Sequence, residues 1–179
     1  MKYEVELKSL KNDFPKKNYY LVKNLRVKFF QEYDNLLDKM LQGPTFLKIP
    51  EIANLVQENL QTFDEELYDL IAYCIMPNHV HLLIDTSIQF PKIWNGENLE
   101  QLKITPLMQI MKRIKGPTAV YANRFLNKSG KFWHRESYDR LIRDKKELNN
   151  TIAYILENPV KARLVKNWQD WPFSFYKYS

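Results

Sequence analysis

Two histidines separated by one residue, His79 and His81, are the side chains of this sequence best suited to chemistry. They lie in the run Ala72-Tyr73-Cys74-Ile75-Met76-Pro77-Asn78-His79-Val80-His81-Leu82-Leu83-Ile84-Asp85. That run is apolar and short, with Pro-Asn in the middle, and predicts two strand segments around a tight break. Residues two apart on a strand point to the same face. His79 and His81 would therefore aim both imidazoles one way, while Val80, Leu82 and Ile84 fill the other face. Two neutral imidazoles at that spacing form half of a divalent-metal site. The same spacing also suits two ordinary strand histidines, and strand geometry does not choose between them. The chain has three histidines, two of them here.

A second pair, Tyr154 and Asn158, is spaced i and i+4 and so shares one face of a helix. Tyr154 offers a phenol, and Asn158 a carbonyl oxygen able to bind a hard cation. The plainer reading is a core tyrosine among Ile152, Ile155 and Leu156, with Asn158 stopping the helix before Pro159. Local sequence alone favours the plainer reading.

The elements that must position these residues follow from periodicity. A first strand is expected over 19–27 and a helix over 31–41, stopped by Gly43-Pro44. The next helix covers about 49–63, with Pro50 in its first turn and Ile52, Leu55, Val56 and Leu60 as its apolar stripe. The two histidine strands follow. Residues 86–104 read as a loop on the active-site side. Thr105-Pro106 suits the start of a helix carrying Leu107, Ile110, Met111 and Ile114. Gly116-Pro117 should break or kink that helix. Residues 132–143 look extended, with Tyr138, Leu141 and Ile142 available for burial. Asp144 can cap a helix from about 145 to 157, ended by Asn158-Pro159. The tail from Trp168 to Tyr176 is aromatic and turn-rich. The order predicts an α+β fold, with helices against one face of a small antiparallel sheet.

Bulk properties narrow the class. The chain has 179 residues with 45% hydrophobic residues, enough for one folded domain over 1–179 with a sizeable core. The core is expected over about 19–165, with an aromatic tail at 166–179. Lysines and arginines exceed acidic residues by six, which favours polyanionic partners, nucleic acid first. The single cysteine, Cys74, permits no intramolecular disulfide and fits a reducing compartment. The charged N-terminus does not read as a signal peptide, and no apolar stretch approaches membrane-spanning length. A cytoplasmic protein without membrane contact is the expectation.

Four motifs then appear in order: Met76-Pro77-Asn78-His79-Val80-His81-Leu82-Leu83, Phe132-Trp133-His134-Arg135-Glu136-Ser137-Tyr138-Asp139-Arg140, Tyr154-Ile155-Leu156-Glu157-Asn158-Pro159-Val160-Lys161-Ala162, and Trp171-Pro172-Phe173-Ser174. Together they resemble the repetitive-extragenic-palindrome-associated (REP-associated) tyrosine transposases. That family is a branch of the IS200-like single-tyrosine transposases, themselves similar to other HUH endonucleases. The resemblance runs from about Tyr19 to Tyr176. It implies a ferredoxin-like sheet, a divalent ion (Mg²⁺ or Mn²⁺) on His79, His81 and Asn158, and Tyr154 as nucleophile. It further implies cleavage and transfer of single-stranded DNA beside a hairpin through a 5′-phosphotyrosine, by a monomer or a homodimer.

Rival assignments accompany this reading. Tyr138, flanked by Arg135, Asp139 and Arg140, is the competing nucleophile by local polarity, while motif position favours Tyr154. His134 is an alternative third ligand, or a residue that touches DNA. Lys112, Lys115, Arg124, Arg135 and Arg140 are the expected DNA contacts, against the alternative of a solvated basic face. Trp168, Trp171 and Phe173 either stack on bases or clamp the tail onto the core. A hairpin DNA- or RNA-binding module without cleavage is the alternative function. A metal-dependent hydrolase unrelated to DNA would explain the histidines but not the other motifs. The sequence departs from the family pattern in the long segment 28–48, in Gly116-Pro117 and in ending soon after the Trp-Pro-Phe-Ser motif.

Overall fold

The structure, a computed structural model, describes residues 43–89, 105–135 and 137–179, together with Glu32 and Leu37. The chain divides into two compact units, Met1–Gly43 and Pro44–Ser179. In the first, Glu32 and Leu37 are helical, as the helix expected over 31–41 requires; the rest of that helix and the strand expected over 19–27 lie outside the described residues. So does most of the loop expected over 86–104, and the single-domain expectation also reaches into these regions.

In the second unit the regular elements are helix α1 (Pro50–Thr62), strands β1 (Asp69–Ile75) and β2 (Val80–Asp85), helices α2 (Pro106–Phe125) and α3 (Lys145–Lys161), and strand β3 (Ser174–Tyr176). The sheet is antiparallel in the order β2-β1-β3. The fold is α+β, as the pattern of elements predicts. β1 is central and buried, which is why it reads as a continuous apolar run rather than an alternation.

Helices cover both faces of the sheet, not the one face expected. On one side Leu70, Tyr73 and Ile75 of β1 join Val80, Leu82 and Ile84 of β2 and Phe175 of β3. They pack with Ile52, Val56 and Leu60 of α1 and Ile110, Ile114 and Ala122 of α2. On the other side Ala72, Cys74 and Leu83 pack with Ile152, Tyr154 and Ile155 of α3 and with Tyr176. The sequence hides this because α3 spreads a modest apolar stripe among exposed polar residues, and helix periodicity does not say which sheet face it meets.

A register shift in β1 sets this arrangement. Leu70 faces Ile84 and Ala72 faces Leu83, so Ile71 is an extra residue in the ladder. Its carbonyl is not wasted; it accepts the amide of Lys177 at 3.0 Å. Lys177 in turn places its ammonium among Asp64, Glu65 and Asp69, tying the chain end to the start of β1.

Three local expectations need correction. First, residues 132–143, expected to be extended and partly buried, form no strand or helix where described. Tyr138 and Leu141 there are 40% and 75% exposed, and only Ile142 of the three expected core residues packs inward. The third strand lies instead in the aromatic tail: Phe175 stacks on Tyr73 at 5.4 Å, and Trp171 Nε1 donates to the Ile75 carbonyl at 3.0 Å. Trp171 and Phe173 therefore clamp the tail onto the core. Second, α2 begins as expected, with the Thr105 hydroxyl accepting the Met108 amide, but it runs unbroken through Pro117. Arg113, Gly116 and Pro117 are all exposed, so water can serve the carbonyl that Pro117 leaves without its helical donor. Third, α3 passes Asn158-Pro159 and ends at Lys161. There Arg163 adopts a left-handed φ of 58°, and the Leu164 and Arg163 amides bond the Pro159 and Val160 carbonyls. That paired closure, rather than the proline, terminates the helix.

Pro117 thus occupies an exposed position in the helix interior. Pro117→Ala should raise the unfolding free energy by about 1–3 kcal/mol, read from urea denaturation. An unchanged or lower midpoint would show that the proline is accommodated without cost.

Candidate functional site

β2 alternates as its sequence requires. Val80, Leu82 and Ile84 face α1 and α2, so His81 and Leu83 face α3. His79 sits one residue before β2, in the turn closed by the Met76 amide on the His79 carbonyl at 2.8 Å. The turn and the strand together bring both imidazoles to one point. Their Nε2 atoms are 2.8 Å apart, and the rings meet nearly at right angles.

The other nitrogen of His79 has its own partner. Nδ1 lies 2.8 Å from Asn78 Oδ1. The amide oxygen can only accept, so Nδ1 carries the proton and donates, leaving the Nε2 lone pair directed at His81. Asn78 thus fixes the tautomer that a metal ligand needs. Sequence reasoning did not single it out; its adjacency to His79 in the turn was the available signal.

α3 supplies the opposing wall. Tyr154 is partly buried, and its ring meets the His81 ring edge-on at 5.6 Å. One turn on, Asn158 is fully buried. Its Nδ2 donates to the Tyr154 carbonyl at 3.1 Å, while its Oδ1 is buried without a hydrogen-bond partner. A buried amide oxygen left so is costly and calls for a donor or a cation. Two turns after Tyr154, Lys161 holds its Nζ 4.5 Å from the Tyr154 ring centroid. Lys161 is the second residue that sequence reasoning missed, although its i+7 spacing from Tyr154 was legible.

Can these residues hold a divalent ion? Cis ligands about 2.1 Å from an octahedral ion stand roughly 3 Å apart, close to the separation of the two Nε2 atoms. The orphaned Asn158 Oδ1 is of the right chemical type to complete such a set. Among the described residues no group of three His, Cys, Asp or Glu side chains offers an alternative. The donor set therefore fits an ion that accepts imidazole and amide oxygen.

The remaining sequence candidates are not gathered here. Lys112, Lys115 and Arg124 belong to α2, on the opposite face of the sheet. Lys115 donates to the His134 carbonyl at 3.1 Å. Arg135 and His134 are exposed in the segment after α2. Arg140 pairs with Glu147, whose carboxylate also accepts the Arg143 amide at the start of α3. Tyr138 is exposed in that irregular segment, whereas Tyr154 is the tyrosine seated on His81.

Burial, then the electrostatic effects of neighbouring His79 and Lys161, hold His81 well below the ordinary imidazole value of 6.5. The folded ring is thus neutral where the unfolded ring begins to take a proton. Acidification through 6.5 then favours the unfolded chain. The urea midpoint should fall as pH is lowered below 6.5, and His81→Gln should flatten that dependence. A pH profile identical in the two proteins would show that His81 is not the group responsible.

No protein-family profile matches the chain, and no solved structure matches it. It is similar to a protein of Haemophilus influenzae named "Putative REP-associated tyrosine transposase", with 33% identity over 120 residues. The match covers 65% of this chain and 63% of that relative, so the chain spans less than two thirds of the relative's length. The similarity supports the family that the four motifs resemble.

Proposed function

We propose that this protein is a divalent-metal-dependent endonuclease and strand transferase that cuts single-stranded DNA beside a hairpin through a tyrosine–DNA intermediate. The observation that carries this reading is the seating of Tyr154 against His81, whose Nε2 converges with that of His79. The similarity to a protein named as a REP-associated tyrosine transposase points the same way.

In this reading His79, His81 and Asn158 hold Mg²⁺ or Mn²⁺. When bound, the ion draws charge from the nonbridging oxygens of the scissile phosphate. The chain's residues do the rest. Asn78 holds the His79 ring in its ligating tautomer. The α3–sheet packing keeps the Tyr154 ring beside His81, which would hold the nucleophile close to a phosphate bound there. Tyr154 gives its phenolic proton to solvent water, its Oη–P bond forms and the P–O3′ bond breaks. The 3′-oxygen leaves with the electron pair and takes up a proton, so the DNA 5′ end remains on the protein. Because a phosphodiester-level bond is retained, a DNA 3′-OH can reverse the reaction, and strand transfer uses the same site. The basic residues expected to grip DNA lie mainly on α2, so they would hold flanking DNA rather than the phosphate that reacts.

End-labelled single-stranded oligonucleotides spanning hairpins from the flanks of the gene should yield a covalent adduct with Mn²⁺ and none with EDTA. Tyr154→Phe should abolish the adduct and leave DNA binding intact, and Tyr138→Phe should retain it. An adduct that persists in Tyr154→Phe overturns the nucleophile assignment. Binding by the unaltered protein without any adduct would instead favour a hairpin-binding module. Independently of activity, Asn78→Ala should weaken Mn²⁺ binding about 10–100-fold, measured by calorimetry; unchanged affinity would count against the ligand role of His79.

A further inference from the structure

Tyr154 and Lys161 are seven residues apart on α3, two turns, and so lie on one side of the helix. The Lys161 ammonium stands 4.5 Å from the Tyr154 ring centroid, and its charge reaches His81. The Tyr154 ring therefore has both an imidazole and an ammonium beside it.

Some cations of the second unit are committed elsewhere. Arg140 is held by Glu147, Lys177 by three carboxylates, and Lys115 by the His134 carbonyl. Lys161, by contrast, is exposed and makes no ion pair among the described residues. Because the ammonium is exposed, its contact with the partly buried Tyr154 ring is weak. An anion of the right geometry would draw it off easily.

We propose that Lys161 binds a nonbridging oxygen of the phosphate that Tyr154 attacks. This rests on the nuclease reading given above and assigns it a further residue. A phosphodiester brings one negative charge to the site, and that charge shifts onto the equatorial oxygens as the new bond forms. Lysine meets it as a compact point charge with rotatable donors on a flexible stem, and a charge-assisted bond to phosphate outweighs the ring contact it replaces. Lys161 remains protonated throughout and transfers no proton. The plainer role of a lysine in a last helical turn is to offset the helix dipole. Any position in that turn would serve that purpose, and none of it requires contact with Tyr154.

The test compares the unaltered protein with Lys161→Met and Lys161→Arg on the labelled oligonucleotides described above. With DNA saturating, Lys161→Met should form the adduct about a hundredfold more slowly. Lys161→Arg should stay within about tenfold of the unaltered protein, since it keeps the charge. Lys161→Met should also lower the slope of log affinity against log salt by about 0.7, the loss of one single-strand phosphate contact. Thermal midpoints should be alike in all three, because Lys161 is exposed. A rate and salt slope in Lys161→Met equal to those of the unaltered protein overturn the proposal and leave the nuclease reading standing. Equal loss of rate in both variants overturns it as well. No adduct from the unaltered protein on any oligonucleotide overturns the nuclease reading itself, and this assignment with it.

Discussion

The hairpin Asp69–Asp85 is buried on both faces, and the other elements take their places from that constraint. A strand pair with two apolar faces cannot be left against water on either side. α1 and α2 cover one face and α3 the other, while the aromatic tail contributes side chains to both. Strand alternation then leaves no freedom to the histidines. With Val80, Leu82 and Ile84 committed to one layer, His81 must enter the other, and α3 is the helix it meets there.

The site is consequently a by-product of core formation. Ile155 and Leu156 anchor α3 in the core, and their neighbour Tyr154 is carried onto the His81 ring. Asn158 is carried deeper still, where its amide oxygen finds no protein donor. A core would normally avoid such a group. Asn158 shares that condition with the side-chain oxygens of Gln57, Asn59 and Asn123, and differs from them in lying one turn from Tyr154 on the same side of α3.

The shared face of His79 and His81 was legible in the sequence because a period of two admits only one answer. The starts of α1, α2 and α3 were legible because proline and capping residues act locally. Pro117 and Pro159 misled, since helix continuity depends on where a lost hydrogen bond faces and on what closes the helix, and neither is a property of the dipeptide. β3 was obscured because three residues are too few to show alternation, and its pairing partner lies about a hundred residues away. The covering of both sheet faces was equally hidden, being decided by contacts distant along the chain. Asn78 and Lys161 were missed for a related reason: each matters through another functional side chain rather than through its own type.

The extra residue at Ile71 gives the hairpin an uneven tolerance to changes in length. On its outer side, towards Asp69, the ladder already absorbs one unmatched residue by bending and by lending a carbonyl to Lys177. On its inner side, from Ala72 to His81, the pairing is continuous through the turn. A residue gained or lost before Ile71 can be taken up by the existing irregularity. The same change between Ala72 and His81 would exchange the two layers and deliver the imidazoles to α1 and α2. The strand count is therefore tolerant at the Asp69 end of the hairpin and strict at its turn.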